Sequence, residues 1–206
     1  MRIIVISDTH GNYKALETVL LRNTDADWIF FLGDGERDLD TFLMLHHEFT
    51  EKIIAVCGNC DACSMNPGYF ILLLPDGHRI FATHGHYYAV KSNLELIKLK
   101  AKEHECDILL FGHTHVRYNA FEDGLYILNP GSASAPHEDG LYILNPGSAS
   151  APHDGMKPSF GHIDISEAGV VMNIADISYA ADSGNVNKMN AARSQYTHGH
   201  YGHYSY

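Results

Sequence analysis

The pattern of apolar and polar positions repeats one unit: a short apolar run that stops at a polar side chain able to bind a metal. Residues 2–7 (RIIVIS) run into Asp8, 28–33 (WIFFLG) into Asp34, and 53–58 (IIAVCG) into Asn59. Residues 79–83 (RIFAT) run into His84, and 107–112 (DILLFG) into His113. Each run has the length and the β-branched or aromatic content of a buried strand. Between them lie helical spacings. Asn12 is placed to cap a helix carrying Leu16, Val19 and Leu20 on one face. Leu39, Phe42, Leu43 and His46 repeat that spacing, and so do Val90, Leu94, Ile97 and Ala101. Strand and helix in alternation predict an α/β domain with mostly parallel central strands. Ligands in such sheets bind beyond the carboxyl ends of the strands, where all these polar residues arrive. After about residue 116 the rhythm changes to strands and hairpins at 117–121, 125–128, 159–165 and 170–174, which predicts a second, more antiparallel sheet.

Two stretches stand apart. Residues 122–137 (EDGLYILNPGSASAPH) recur unchanged as residues 138–153, a tandem duplication that chance does not produce. Two copies do not make a solenoid. One copy is expected to fill a strand and turn of the fold while the other is inserted; the alternative is strand exchange between two chains, giving a homo-oligomer. The pattern predicts a domain over 1–178 and a flexible Gly/His/Tyr-rich tail over 179–206. Nothing places the tail's His198, His200 and His203 at a cleft.

Composition narrows the class. The 206 residues suit one domain, and no stretch approaches the roughly 18–20 apolar residues of a membrane span. The opening apolar run is too short for a signal peptide, so a cytoplasmic location with no membrane partner is expected. A net charge of −11 leaves no basic stripe for a nucleic-acid coat, although metals can still draw an anionic substrate. Cys57, Cys60 and Cys63 crowd together while Cys106 lies far off, which predicts free, mostly buried thiols instead of a disulfide framework or a zinc knot.

Histidine is the unusual count, fifteen in all. Asp8-Thr9-His10 and His113-Thr114-His115 each set two donors two residues apart, and Asp34, Asn59 and His84 arrive singly at other strand ends. This mixed oxygen and nitrogen set suits manganese, iron, cobalt, nickel or zinc better than calcium or magnesium. Seven donors exceed what one ion draws from protein, so two divalent ions sharing a carboxylate is the economical solution.

In order and spacing, SDTHG, LGD, GNCD, THGH and GHTH followed by NPGS resemble the calcineurin-like metallophosphoesterases, over about residues 1–175 and most like their small bacterial and archaeal phosphodiesterase branch. The resemblance implies a four-layer αββα sandwich with a dinuclear site between the loops of its two sheets. It implies Asp8, His10 and His115 on one ion, Asn59, His84 and His113 on the other, and Asp34 as the bridge. Asp34, Asn59, His84 and His113 then form the catalytic set, with manganese the first choice of ion. His86 would stand nearby, and Asp38 would orient His10 or another ligand. A hydroxide held by the ions would attack phosphorus in line.

The match has departures. Cys60 stands where larger phosphatases carry a histidine that assists the leaving group, and His137 and His153 stand where relatives often carry a basic residue. The expected function is hydrolysis of small soluble phosphodiesters. The alternatives are a broad phosphomonoesterase and, from a different class, a non-catalytic protein-binding scaffold on the same fold, as in a eukaryotic retromer subunit. A complete donor set favours the enzyme. A DNA nuclease on this fold is disfavoured by the acidic surface and the absence of a DNA-binding appendage.

Overall fold

The computed structural model describes residues 1–130 and 157–178. Among the described residues ten strands form two five-stranded sheets. The first runs in the order β10 (Gly169–Asp176), β9 (Ser159–Ser166), β1 (Arg2–Ile6), β2 (Trp28–Phe31), β3 (Ile53–Ala55). The second runs β4 (Tyr69–Leu73), β5 (Arg79–Thr83), β6 (Ile108–Phe111), β8 (Leu125–Pro130), β7 (Arg117–Glu122). Strands β1, β2 and β3 pair in parallel, as do β5, β6 and β8, while β9, β10, β4 and β7 pair antiparallel with their neighbours.

The period-two alternation along each strand explains the layering. Ile4 and Ile6 of β1, with Ile29 and Phe31 of β2, face outward onto Leu16 and Leu20 of α1 (Tyr13–Arg22) and Leu39 and Phe42 of α2 (Glu36–Leu45). Their neighbours Ile3, Val5, Phe30 and Leu32 face the second sheet and meet Ile80, Ala82, Ile108 and Leu110. On that sheet's far side Phe81, Leu109 and Phe111 pack against Ile97 and Ala101 of α3 (Glu95–Glu103). The result is the expected αββα sandwich. Each large apolar side chain buried in these three interfaces contributes about 1.5–3 kcal/mol.

Local signals behave as their chemistry dictates. The Asn12 side chain accepts from the Ala15 N–H at 3.1 Å, capping α1 where its sequence position predicted. Helix α3 is shorter than the apolar spacing implied: it opens at Glu95, and Val90 reaches the same core from the preceding loop. His46 likewise caps α2 without belonging to it.

Two expectations about the sheets need correction. The strands after residue 116 do not form a sheet of their own: β7 and β8 complete the second sheet, whereas β9 and β10 return to the first beside β1. Strand β4 was not anticipated; it is an edge strand with Tyr69, Phe70 and Leu73 exposed. Strand β8 is built from the first copy of the duplication and sits between β6 and β7 with Leu125, Ile127, Leu128 and Asn129 buried. Residues 131–156, which include the whole second copy, and the tail from 179 lie outside the described residues, so strand exchange and the placement of His137, His153 and the tail histidines lie outside them too.

Candidate metal centre

The parallel strands of both sheets end at one rim, and the loops that leave them interlock. The Asp8 N–H donates to the Gly33 carbonyl at 2.9 Å, the His10 N–H to the Asp34 carbonyl at 3.0 Å, and the Gly112 N–H to the His84 carbonyl at 3.1 Å. Two glycines permit this crowding. A Cβ on Gly58 would lie 2.1 Å from Asp34 Oδ1, and one on Gly112 would lie 2.1 Å from Ser7 Oγ. No larger residue fits either place without moving a site residue.

All seven anticipated residues converge there. His115 Nε2 lies 3.2 Å from Asp8 Oδ1 and 3.2 Å from His10 Nε2, and His10 Nε2 lies 3.7 Å from Asp8 Oδ1. Across the cleft His84 Nε2 lies 3.2 Å from Asn59 Oδ1 and 3.2 Å from His113 Nδ1. Asp34 Oδ2 stands between the two groups, 3.8 Å from His10 Nε2 and 3.4 Å from His84 Nε2. Atoms each about 2.0–2.2 Å from a shared ion are spaced in this way. Asp8 with His10 and His115, and Asp34 with His84 and His113, each bring their donor atoms within 4.8 Å of one another.

The backbone is strained at the same residues. Asp8, His10, Asp34, His113 and His115 all have left-handed φ values, between 44° and 69°. That conformation costs a non-glycine residue about 1–2 kcal/mol, and such strain gathers where function holds it in place.

Hydrogen bonds orient the donors. The His84 Nδ1–H donates to the Leu32 carbonyl at 2.7 Å, which leaves Nε2 aimed into the site with a lone pair to give. Ser7 Oγ donates to Asp8 Oδ2 at 2.6 Å, and the His113 N–H donates to the same oxygen at 3.2 Å. Asp38 accepts from Thr9 Oγ1 at 2.6 Å and from the Gly11 N–H at 2.9 Å. It thus holds the Thr9 hydroxyl and the Gly11 backbone, on either side of His10.

Two further residues carry the rim and were not singled out from the sequence. The Asp61 carboxylate accepts from four backbone N–H groups, those of Asp34 and Gly58 at 2.8 Å, Gly35 at 2.9 Å and Glu36 at 3.0 Å. It ties the ends of β2 and β3 to the start of α2. Asn129, fully buried, donates to the Gly112 carbonyl and Thr114 Oγ1, each at 3.0 Å, and so holds the loop bearing His113 and His115. The aspartate of GNCD and the asparagine of NPGS were visible as motif letters, but their work is done on backbone groups that no spacing reveals.

Electrostatics follow burial. Burial pushes the Asp8 carboxyl up, but His115, His84 and the Ser7 hydroxyl outweigh it and hold it below its ordinary value. Asp34 is likewise pushed up by burial and pulled further down by His84 and Cys60. For His84, burial opposes the charged ring, and Asp34, Asp8 and the Leu32 carbonyl raise it nonetheless. Burial together with the charges of His84 and Lys91 lowers His113 to about 4. Lys91 is thereby identified as a cation near the site, and Arg37 lines the adjoining cleft of about 640 Å³ with His10, Asp34, Cys60, Cys63 and Met65. His86 packs beside the donors, its ring centroid 5.3 Å from that of His84. The thiols are less hidden than expected: Cys106 is buried, but Cys60 and Cys63 are exposed.

Paired carboxylates and imidazoles gathered at the mouth of an αββα sandwich make a site suited to divalent metal. The model of the calcineurin-like phosphoesterase superfamily domain matches residues 1–140. The chain is 32% identical over 140 residues to the probable metallophosphoesterase YsnB of Bacillus subtilis, covering 66% of this chain and 77% of that one. It is 30% identical over 156 residues to the phosphodiesterase YfcE of Escherichia coli, covering 66% and 81%. Among solved structures, a predicted phosphoesterase of Streptococcus pneumoniae superposes with a TM-score of 0.66 at 26% identity, covering 85% of this chain and 88% of that one. The chain belongs to the calcineurin-like phosphoesterase superfamily. Among the described residues no helix is long and apolar enough to cross a membrane.

Proposed function

We propose that this protein hydrolyses small soluble phosphodiesters with two divalent ions. Asp8, His10 and His115 would hold one ion and Asn59, His84 and His113 the other. The observation that carries this reading is the place of Asp34 Oδ2, within 3.8 Å of His10 Nε2 on one side and 3.4 Å of His84 Nε2 on the other. The mixed oxygen and nitrogen set admits manganese, the first choice here, as well as nickel, iron, cobalt or zinc. Such ions lower the pKa of a bound water toward about 7 and neutralise charge on phosphoryl oxygens.

The protein's own residues supply orientation and charge. His84, fixed through Nδ1, and Asp34, fixed through its backbone by Asp61, give the site a rigid floor. Two divalent ions less two aspartates leave about +2 locally, enough to draw a phosphate into a protein of net charge −11. Diesters are favoured because Cys60, not an imidazole, follows Asn59, so a poor leaving group receives no ready proton. The 30% identity to a protein named a phosphodiesterase agrees with this preference.

The test is metal analysis of the purified protein together with hydrolysis of bis(p-nitrophenyl) phosphate and p-nitrophenyl phosphate in added Mn²⁺. Two ions per chain and faster diester turnover are expected. One ion or fewer, or an Asp34→Asn variant as active as wild type, would overturn the reading.

A further inference from the structure

One more side chain reaches the position of these ions. Cys60 follows Asn59 beyond the end of β3 and opens onto the cleft. Its sulfur, a His10 ring nitrogen and an Asp34 carboxylate oxygen all lie within 4.8 Å of one another. The loop that carries it is fixed at both flanks. The Cys60 N–H donates to Asp34 Oδ1 at 2.7 Å, and Asp61 binds the Gly58 and Asp34 N–H groups together. Asn59 Nδ2 approaches Cys60 Sγ at 3.3 Å, so the residue that would serve one ion touches the sulfur that faces the other. Asp34 is thus shared a second way, with Oδ1 anchoring the Cys60 backbone and Oδ2 facing His10 and His84.

We propose that Cys60 is an eighth metal ligand, joining His10 and Asp34 on the ion of the Asp8 and His115 half, and that it makes this half prefer a thiophilic divalent ion, zinc first, over manganese. The inference rests on the two-ion reading above. Seven oxygen and nitrogen donors leave the choice among first-row metals open, and a thiolate narrows it. As the sulfur–metal bond forms, the thiol proton passes to the solvent buffer; nothing is oxidised or reduced. The local charge falls from about +2 to about +1, still attractive to a phosphodiester of one negative charge. A ligating sulfur also has no proton for a leaving group, in line with the diester preference.

Cobalt reports the bond directly, because a thiolate on Co²⁺ gives a near-ultraviolet charge-transfer band that oxygen and nitrogen donors lack. Wild type, Cys60→Ser and Cys63→Ser are loaded with Co²⁺, and bound cobalt is measured in each. Cys60 is exposed and its backbone hydrogen bond survives substitution, so the serine variant is expected to fold; Cys63 lines the same cleft and serves as control. The expected result is two cobalt ions in all three proteins, with the band in wild type and Cys63→Ser and none in Cys60→Ser. In competition, Cys60→Ser is expected to weaken zinc at one ion by at least about tenfold and manganese by less than about twofold. Two bound cobalt ions without a band in wild type, or a band that persists in Cys60→Ser, would overturn the proposal and leave the two-ion reading standing. A single cobalt ion with a Cys60-dependent band would support the ligand and remove the two-ion reading. No bound cobalt would remove both.

Discussion

The floor and the mouth of the site are built differently. The floor is Asp8, Asp34 and His84, nearly or fully buried at 0%, 3% and 0% exposure, each tied to backbone or side chain beneath it. The mouth is His10, Asn59 and Cys60, all exposed and carried on loops. Buried donors with fixed partners lose little freedom on taking up an ion, whereas exposed ones must be ordered by it. On the proposed two-ion reading, the floor would set affinity and the mouth would set which ion and which substrate enter.

The largest expected effect comes from removing what both regions share. Asp34→Asn should lower diester hydrolysis on the order of a thousandfold and release metal from both halves, as measured by kcat/KM and bound metal. Next, His84→Ala should weaken one ion by about a hundredfold and His10→Ala by about tenfold. Equal losses in a metal titration would erase the distinction between floor and mouth.

Support beneath the floor is worth less but is separable. Asn129→Ala removes the hydrogen bonds to the Gly112 carbonyl and Thr114 Oγ1 and should cost about 1–3 kcal/mol in denaturant unfolding. The matching change in the second copy, Asn145→Ala, should cost less than about 0.5 kcal/mol. If the second change is the costlier one, the other copy supports the floor.

A further effect is on pH. In the metal-free protein the lowered His113 stays neutral to about 4, while the unfolded chain takes up that proton near 6.5. Between those values the unfolded state binds more protons, so stability should fall as pH falls from about 6.5 to about 4. His84, raised above its ordinary value, is protonated in both states through most of that window and adds little slope there. His113→Gln should flatten the slope in urea titrations, and an unchanged slope would place its origin elsewhere.

How much of this was legible follows from where each residue does its work. The donors at Asp8, Asp34, Asn59, His84 and His113 were visible because an apolar run leads into each, and both the run and its polar stop are written in side chains; β3, ahead of Asn59, is only half-buried and ends at Ala55. Asp61 was not, because it acts on four N–H groups brought together only by folding. Strand β4 was passed over because its apolar run ends in no donor and lies at an edge with three large side chains exposed. For β9 and β10 the alternation was plain, but alternation records which face is buried and not which strand lies alongside. Their return to β1 is a fact of topology.

The left-handed backbone at Asp8, His10, Asp34, His113 and His115 carries a consequence for the protein's lifetime. If these residues hold ions as proposed, the strain would be offset when an ion is bound and felt when it is not. Binding at a hundred times the dissociation constant stabilises a folded chain by about 2.7 kcal/mol. Without it the chain opens more often, and proteases act on the open form. Metal supply would then govern not only how fast this protein works but how long each copy survives.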